Sequence, residues 1–116
     1  MKHPDPETFL PLTAPEYHVL LALGESALHG YGMMRSLEEK TAGRDLLLPG
    51  TLYTTLARMV ERGLLEALTE PPEPGADARR RYYRATAPGL AVARAESGRL
   101  RRLLDVAAEA RLVPGS

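Results

Sequence analysis

Four arginines, Arg79, Arg80, Arg81 and Arg84, fall within six positions of a 116-residue chain. A guanidinium is a planar fork of donors that matches phosphate oxygens, so this cluster is the strongest chemical signal in the sequence. A second set, Thr51, Thr54, Thr55 and Arg58, recurs at the three- and four-residue spacing of a helix face. Short hydroxyls there would let a backbone approach base edges and phosphates, with one long cation reaching further. Catalytic chemistry is poorly supplied. The only histidines are His3, His18 and His29, there is no Cys, and no Ser sits in a Gly-x-Ser-x-Gly turn. Neither a phosphate-cradling glycine loop nor a thiolate zinc site can be built. The expectation is a protein that is not an enzyme and uses no metal or cofactor.

Fifteen Lys+Arg balance fifteen Asp+Glu, and a net charge of zero by itself argues against a nucleic-acid partner. The distribution argues the other way. Residues 1–78 carry 6 basic and 12 acidic groups, whereas residues 79–116 carry 9 basic and 3 acidic, so the two parts hold −6 and +6. The length suits one domain. The longest strictly apolar runs, Val19 to Leu23 and Leu46 to Leu48, are far below the roughly 18 residues of a membrane span, and Met1 to Pro11 has no signal-peptide layout. A cytoplasmic protein with no membrane partner is expected.

These side chains need elements to position them. Pro4, Pro6 and Pro11 predict a flexible arm over residues 1–12. Thr13, Pro15 and Glu16 form a capping box for a first helix ending near Gly24. His29-Gly30 opens a second helix, with Met33, Met34 and Leu37 inward, which Thr41-Ala42-Gly43 stops. Pro49-Gly50 turns the chain into a third, with Thr51 as its cap. There Leu52, Leu56, Met59 and Val60 form the buried stripe, Thr51, Thr54, Thr55 and Arg58 face out, and Gly63 ends the helix. Two short strands, within 64–69 and 80–86, flank a proline-rich loop from Glu70 to Ala78 and make a hairpin. A long fourth helix follows, capped by Thr86, to about Leu112. In it Ala93, Ser97, Leu100, Leu104 and Ala107, with Leu103 beside them, form a heptad-like seam.

The fold class is therefore mostly α with a small β-hairpin. Three helices, a hairpin and a long helix are the layout of a winged helix-turn-helix over residues 13–86, a C-terminal dimerisation helix over 87–112 and a tail over 113–116. In such a domain the third helix enters the major groove and the hairpin wing lies along the backbone. Three phosphates met by Arg79, Arg80 and Arg81 would alone give a salt slope of about −2.7. Glu70, Glu73 and Asp77 share the loop, so its tip is partly self-neutralised and the arm of the wing carries the charge.

Four stretches, His29-Gly30-Tyr31, Pro49-Gly50-Thr51-Leu52-Tyr53-Thr54-Thr55-Leu56, Glu61-Arg62-Gly63-Leu64-Leu65-Glu66 and Arg81-Tyr82-Tyr83-Arg84-Ala85-Thr86 with Gly89, resemble the PadR-like transcriptional regulators. The resemblance runs continuously over residues 16 to 89 and implies a dimeric winged-helix repressor of the short form with one C-terminal helix. Carried over by position, it implies that Tyr31 and Tyr53 contact the DNA backbone, that Thr51, Thr54 and Thr55 lie at the groove, and that the arginines before Tyr82 serve the wing. Thr54 stands where the family often has Pro, and Gly32 where an acidic residue is common, so operator preference does not transfer.

Dimerisation has its own argument. Leu100, Leu103, Leu104 and Ala107 have little core left to pack on, and leaving each Leu exposed forfeits roughly 1.5–3 kcal/mol. A two-fold partner burying the same stripe resolves this and sets the two third helices roughly 34 Å apart, over a palindrome in double-stranded DNA. A small apolar effector is a further expected partner. Met33, Met34 and the leucines could line its cavity, although Met at helical spacing is more often core. The competing reading is a winged-helix module that uses the same scaffold to bind a protein. The arginine run beside the threonines favours DNA.

Overall fold

The computed structural model describes residues 4–115. Its elements are α1 (Ala14–Leu23), β1 (Leu28–His29), α2 (Gly30–Lys40), α3 (Pro49–Glu61), β2 (Leu65–Ala67), β3 (Tyr82–Ala85) and α4 (Ala87–Glu109). Each helix start follows from local chemistry. Thr13 accepts the Glu16 N–H while the Glu16 carboxylate takes the Thr13 N–H, closing the expected capping box. His29 caps α2 by accepting the Gly32 N–H on Nδ1 at 2.9 Å. Thr86 caps α4 by accepting the Gly89 N–H at 3.0 Å, and its own hydroxyl donates to the Gly63 carbonyl. Helix α3 differs from expectation. It begins at Pro49, two residues before Thr51, with Leu48 as a cap that offers no side-chain acceptor. Proline at the first position needs no N–H partner, which is how the helix starts without Thr51.

The hydrophobic core lies where α1, α2 and α3 meet the sheet and the first half of α4. Val19, Leu23, Met33, Leu37, Leu52, Leu56, Met59, Leu64 and Val92 are fully buried there. Met33 is thus core. The expected hairpin is one part of a three-stranded antiparallel sheet in the order β1-β3-β2. Leu28 and His29 pair with Tyr83 and Tyr82, a two-residue strand too short to leave a periodic signal. On the other side Leu65, Glu66 and Ala67 face Ala85, Arg84 and Tyr83. Among the described glycines Gly89 is the most closely packed: a Cβ there would sit 2.0 Å from the Leu64 carbonyl oxygen.

The N-terminal arm is the largest departure. Residues 1–3 lie outside the described residues, but Pro6–Phe9 form a 3₁₀ turn, Phe9 and Leu10 pack on the core, and Leu12 is buried. The anchor is Glu96, which is 2% exposed. Its carboxylate accepts the Leu12 N–H at 2.9 Å and the Arg99 guanidinium, with Nη2 at 3.1 Å. Arg99 holds the Glu96 carboxyl below the usual carboxylate range, against the opposing effect of burial. Arg62 stacks over Phe9 with its guanidinium 4.9 Å from the ring centroid and pairs with Glu16 at 2.8 Å. Prolines stopped an α-helix here without preventing packing, and a glutamate inside a helix gave no sequence signal of burial.

Helix α4 ends at Glu109, three residues before the expected Leu112. No residue of it beyond Glu96 is buried. Past Ser97, whose hydroxyl still meets that of Tyr17 on α1 at 2.7 Å, the helix projects from the body for about 18 Å. Leu100, Leu103 and Leu104 are 38%, 53% and 56% exposed, Ala107 is half-buried, and Val106 and Leu112 are more open still. Ser116 of the tail lies outside the described residues.

Candidate nucleic-acid interface

Helix α3 buries the stripe Leu52, Leu56 and Met59, and this fixes what faces outward. Thr51, Tyr53, Thr54 and Arg58 are exposed, with Ala57 between Thr54 and Arg58 on the open face. Ala57 escaped the sequence reading because a methyl has no chemistry of its own; its value is that it keeps the face low. Thr55 is a correction. It is 8% exposed, and its hydroxyl donates to the Thr51 carbonyl at 2.8 Å. Thr55 follows Leu52 by three positions and precedes Met59 by four, so it falls on the buried side of the helix. The Thr54 hydroxyl is likewise turned to its own helix, toward Gly50 O at 3.3 Å, but the residue remains open to solvent.

One shallow cleft gathers His29, Gly30, Tyr31, Tyr53, Arg80, Arg81 and Tyr83. The start of α2, the exposed face of α3 and the base of the wing therefore meet at one place. Gly30 makes the meeting possible, since a Cβ there would lie 2.7 Å from the Tyr53 hydroxyl. Absence of a side chain, and not backbone freedom, is the role of this glycine. Gly50, by contrast, has open space around it. Tyr31 and Tyr53 are both half exposed, and the hydroxyl end of Tyr53 lies over Gly30. The Tyr31 ring has the Arg80 guanidinium at 5.7 Å and that of Arg35 at 5.9 Å.

His29 joins these parts, a role the sequence reading missed beyond its place at the helix start. Its ring lies parallel to Tyr31, edge-on to the buried Tyr82, and 3.3 Å from Arg80 Nη1 through Nδ1. Burial and then the Arg80 charge hold the imidazole below its ordinary pKa, with Asp77 opposing. Nδ1 accepts the Gly32 N–H, which requires that nitrogen to be unprotonated. The wing arginines are not equivalent. Arg84 is committed to Glu66 across the strands, with Nε at 3.0 Å. Arg79 and Arg80 share Asp77, at 3.2 and 3.6 Å. Among the described residues Arg81 makes no ion pair.

The sequence profile described as the transcriptional regulator PadR-like family matches residues 19–95. The chain belongs to the PadR-like family. The match runs from the second half of α1 through the first part of α4, including every residue of the cleft. Among solved structures, the PadR-like chain is similar to a transcriptional regulator from Clostridium thermocellum, with TM-score 0.69 and 23% identity over 82% of this chain and 87% of that one. It is also similar to RosR of H. salinarum in two structures. The complex structure hsRosR-S4 gives TM-score 0.63 and 27% identity, covering 92% and 97% of the two chains. A second gives 0.58 and 28%, covering 90% and 99%. No curated protein matches the sequence significantly. The fold is thus that of winged-helix transcriptional regulators, and the PadR-like family is one of regulators, not enzymes. No helix among the described residues is long and apolar enough to cross a membrane.

Proposed function

We propose that this PadR-like regulator binds double-stranded DNA as a homodimer and represses transcription from a palindromic operator. Helix α3 enters the major groove with Thr51, Thr54 and Arg58 toward the bases. Tyr31 and Tyr53 donate hydroxyls to the backbone, and Arg79, Arg80 and Arg81 follow the phosphates along the wing. The observation that carries the reading is the cleft: two half-exposed tyrosines and two arginines, from three separate elements, converge beside the open face of α3. Phosphate is the ligand those donors fit. Contact with a duplex is also what would use them at the same moment as the threonines.

The second copy docks on the projecting half of α4 through Leu100, Leu103, Leu104 and Ala107. A solvated helix half with three open leucines is costly alone and ordinary as an interface. A cytoplasmic site of action follows from this role. Selection of bound duplexes from a random pool tests the reading as a whole. Enrichment of an inverted repeat with half-sites about one DNA turn apart is the expected result. A pool left without enrichment, together with duplex retention that does not change with salt, would remove DNA as the ligand.

A further inference from the structure

We propose that Asp77 is a built-in brake on the wing: its carboxylate occupies the guanidinium forks of Arg79 and Arg80 and competes with phosphate for them. The inference rests on the DNA-binding reading above. Asp77 Oδ1 accepts Arg79 Nε at 3.2 Å and Oδ2 accepts Nη2 at 3.4 Å, the two-pronged geometry that a phosphate would adopt. Arg80 Nε reaches the same Oδ2 at 3.6 Å. Arg79 is otherwise out in solvent, with 91% of its side chain exposed, so the carboxylate is what holds its guanidinium.

The brake is positioned by backbone and not by chance. Oδ1 of Asp77 also accepts the Arg79 main-chain N–H at 2.9 Å, and the Asp77 carbonyl accepts the Arg80 N–H at 3.2 Å. These bonds make a turn that places the carboxylate between the two arginines. Hydrogen bonds from Arg79 hold the carboxyl below the usual carboxylate range, so it stays charged wherever the protein is folded near neutral pH. The remaining wing arginines mark the contrast, with Arg84 committed to Glu66 and Arg81, on the cleft, in no ion pair among the described residues.

An exposed ion pair is weak enough for a phosphate to displace. Displacement, however, exchanges one anion for another on the protein. A wing contact made this way brings less net positive charge to the phosphates, so it releases fewer of the duplex's condensed counterions and gains less at low salt than a contact by a free arginine. Arg81 would then dominate sequence-independent binding, while Arg79 and Arg80 engage when the rest of the interface is in place.

Asp77→Asn isolates the charge, because the amide oxygen still accepts the Arg79 N–H and keeps the turn. Binding of a short duplex of arbitrary sequence should tighten about three- to tenfold at low salt. The salt slope should steepen by up to about 0.9 for each arginine released. Elution from immobilised heparin, a polyanion that is not DNA, should move to higher salt. Glu73→Gln makes the same change of charge in the same loop, where Glu73 forms no ion pair among the described residues, and should do much less. The gain should vanish when Arg79 and Arg80 are both Ala. Heparin elution of Asp77→Asn no later than that of Glu73→Gln overturns the brake. Later heparin elution combined with no duplex binding by the wild type would keep the brake and discard the DNA reading.

Discussion

Replacing Leu103 and Leu104 together by Ala measures whether the projecting half of α4 is an interface. Both lie beyond the last buried residue of the helix and are 53% and 56% exposed. Ala is a better helix former than Leu, so an isolated chain should keep its helicity and its stability. The dimer should not. Complete burial of Leu is worth about 1.5–3 kcal/mol, so side chains with half their surface still open have about 0.8–1.6 kcal/mol each to gain. A two-fold interface counts each of them twice, which makes about 3–6 kcal/mol, or two to four orders of magnitude in dissociation constant. Sedimentation equilibrium over a range of concentrations reads this directly, with circular dichroism to verify the fold. A variant that associates at the same concentration as the wild type, or a wild type that stays monomeric at tens of micromolar, refutes the assignment of this helix.

Gly89→Ala should destabilise by about 3 kcal/mol or more, because the new Cβ would lie 2.0 Å from a main-chain oxygen of Leu64; thermal unfolding should fall by roughly 10 °C or more. Gly30→Ala should leave stability nearly unchanged, since the neighbour that must move is the mobile end of Tyr53, yet weaken duplex binding by disturbing the cleft, as fluorescence anisotropy would show. Acidification should cost stability through His29. Its folded pKa is depressed, so the unfolded chain takes up the proton first, and the contribution, complete above about pH 6.5, is lost as pH falls through that value toward the folded pKa. His29→Asn keeps a capping oxygen and should flatten melting temperature against pH across this window. Glu96→Ala should cost about 2 kcal/mol by stranding the Leu12 N–H and Arg99, and should expose the N-terminal segment to proteolysis before the body unfolds.

The elements that repeat at helical spacing were readable from the chain, and so were the caps Thr13 with Glu16 and Thr86, which act on neighbours three residues away; Thr51 was not a cap, because Pro49 starts α3 without one. Contacts made across the fold were not. Nothing near Glu96 in the sequence announces that Leu12, 84 positions earlier, donates to it. The two-residue β1 was invisible for the same reason: its partner β3 is more than fifty positions away. In the candidate site, Tyr31, Tyr53, Arg80 and Arg81 were legible as residue types, but their meeting place depends on Gly30 having no side chain. Thr55 was misjudged because a threonine at the boundary of a helix stripe satisfies its hydroxyl on its own backbone and then packs like a valine. Asp77 was seen as part of an acidic tip, whereas the turn around it aims its charge at two particular arginines.

The short strand β1 has a mechanical consequence. It hydrogen-bonds β3, the central strand of the sheet, to the residues immediately before α2, and His29 both ends β1 and caps that helix. Flap and scaffold are therefore stitched at the hinge, so the wing cannot pivot freely as a hairpin on a flexible stalk would. Any force that tilts α2 drags the arginine-bearing edge with it, and a molecule that wedged against α2 would shift that edge without touching the exposed face of α3.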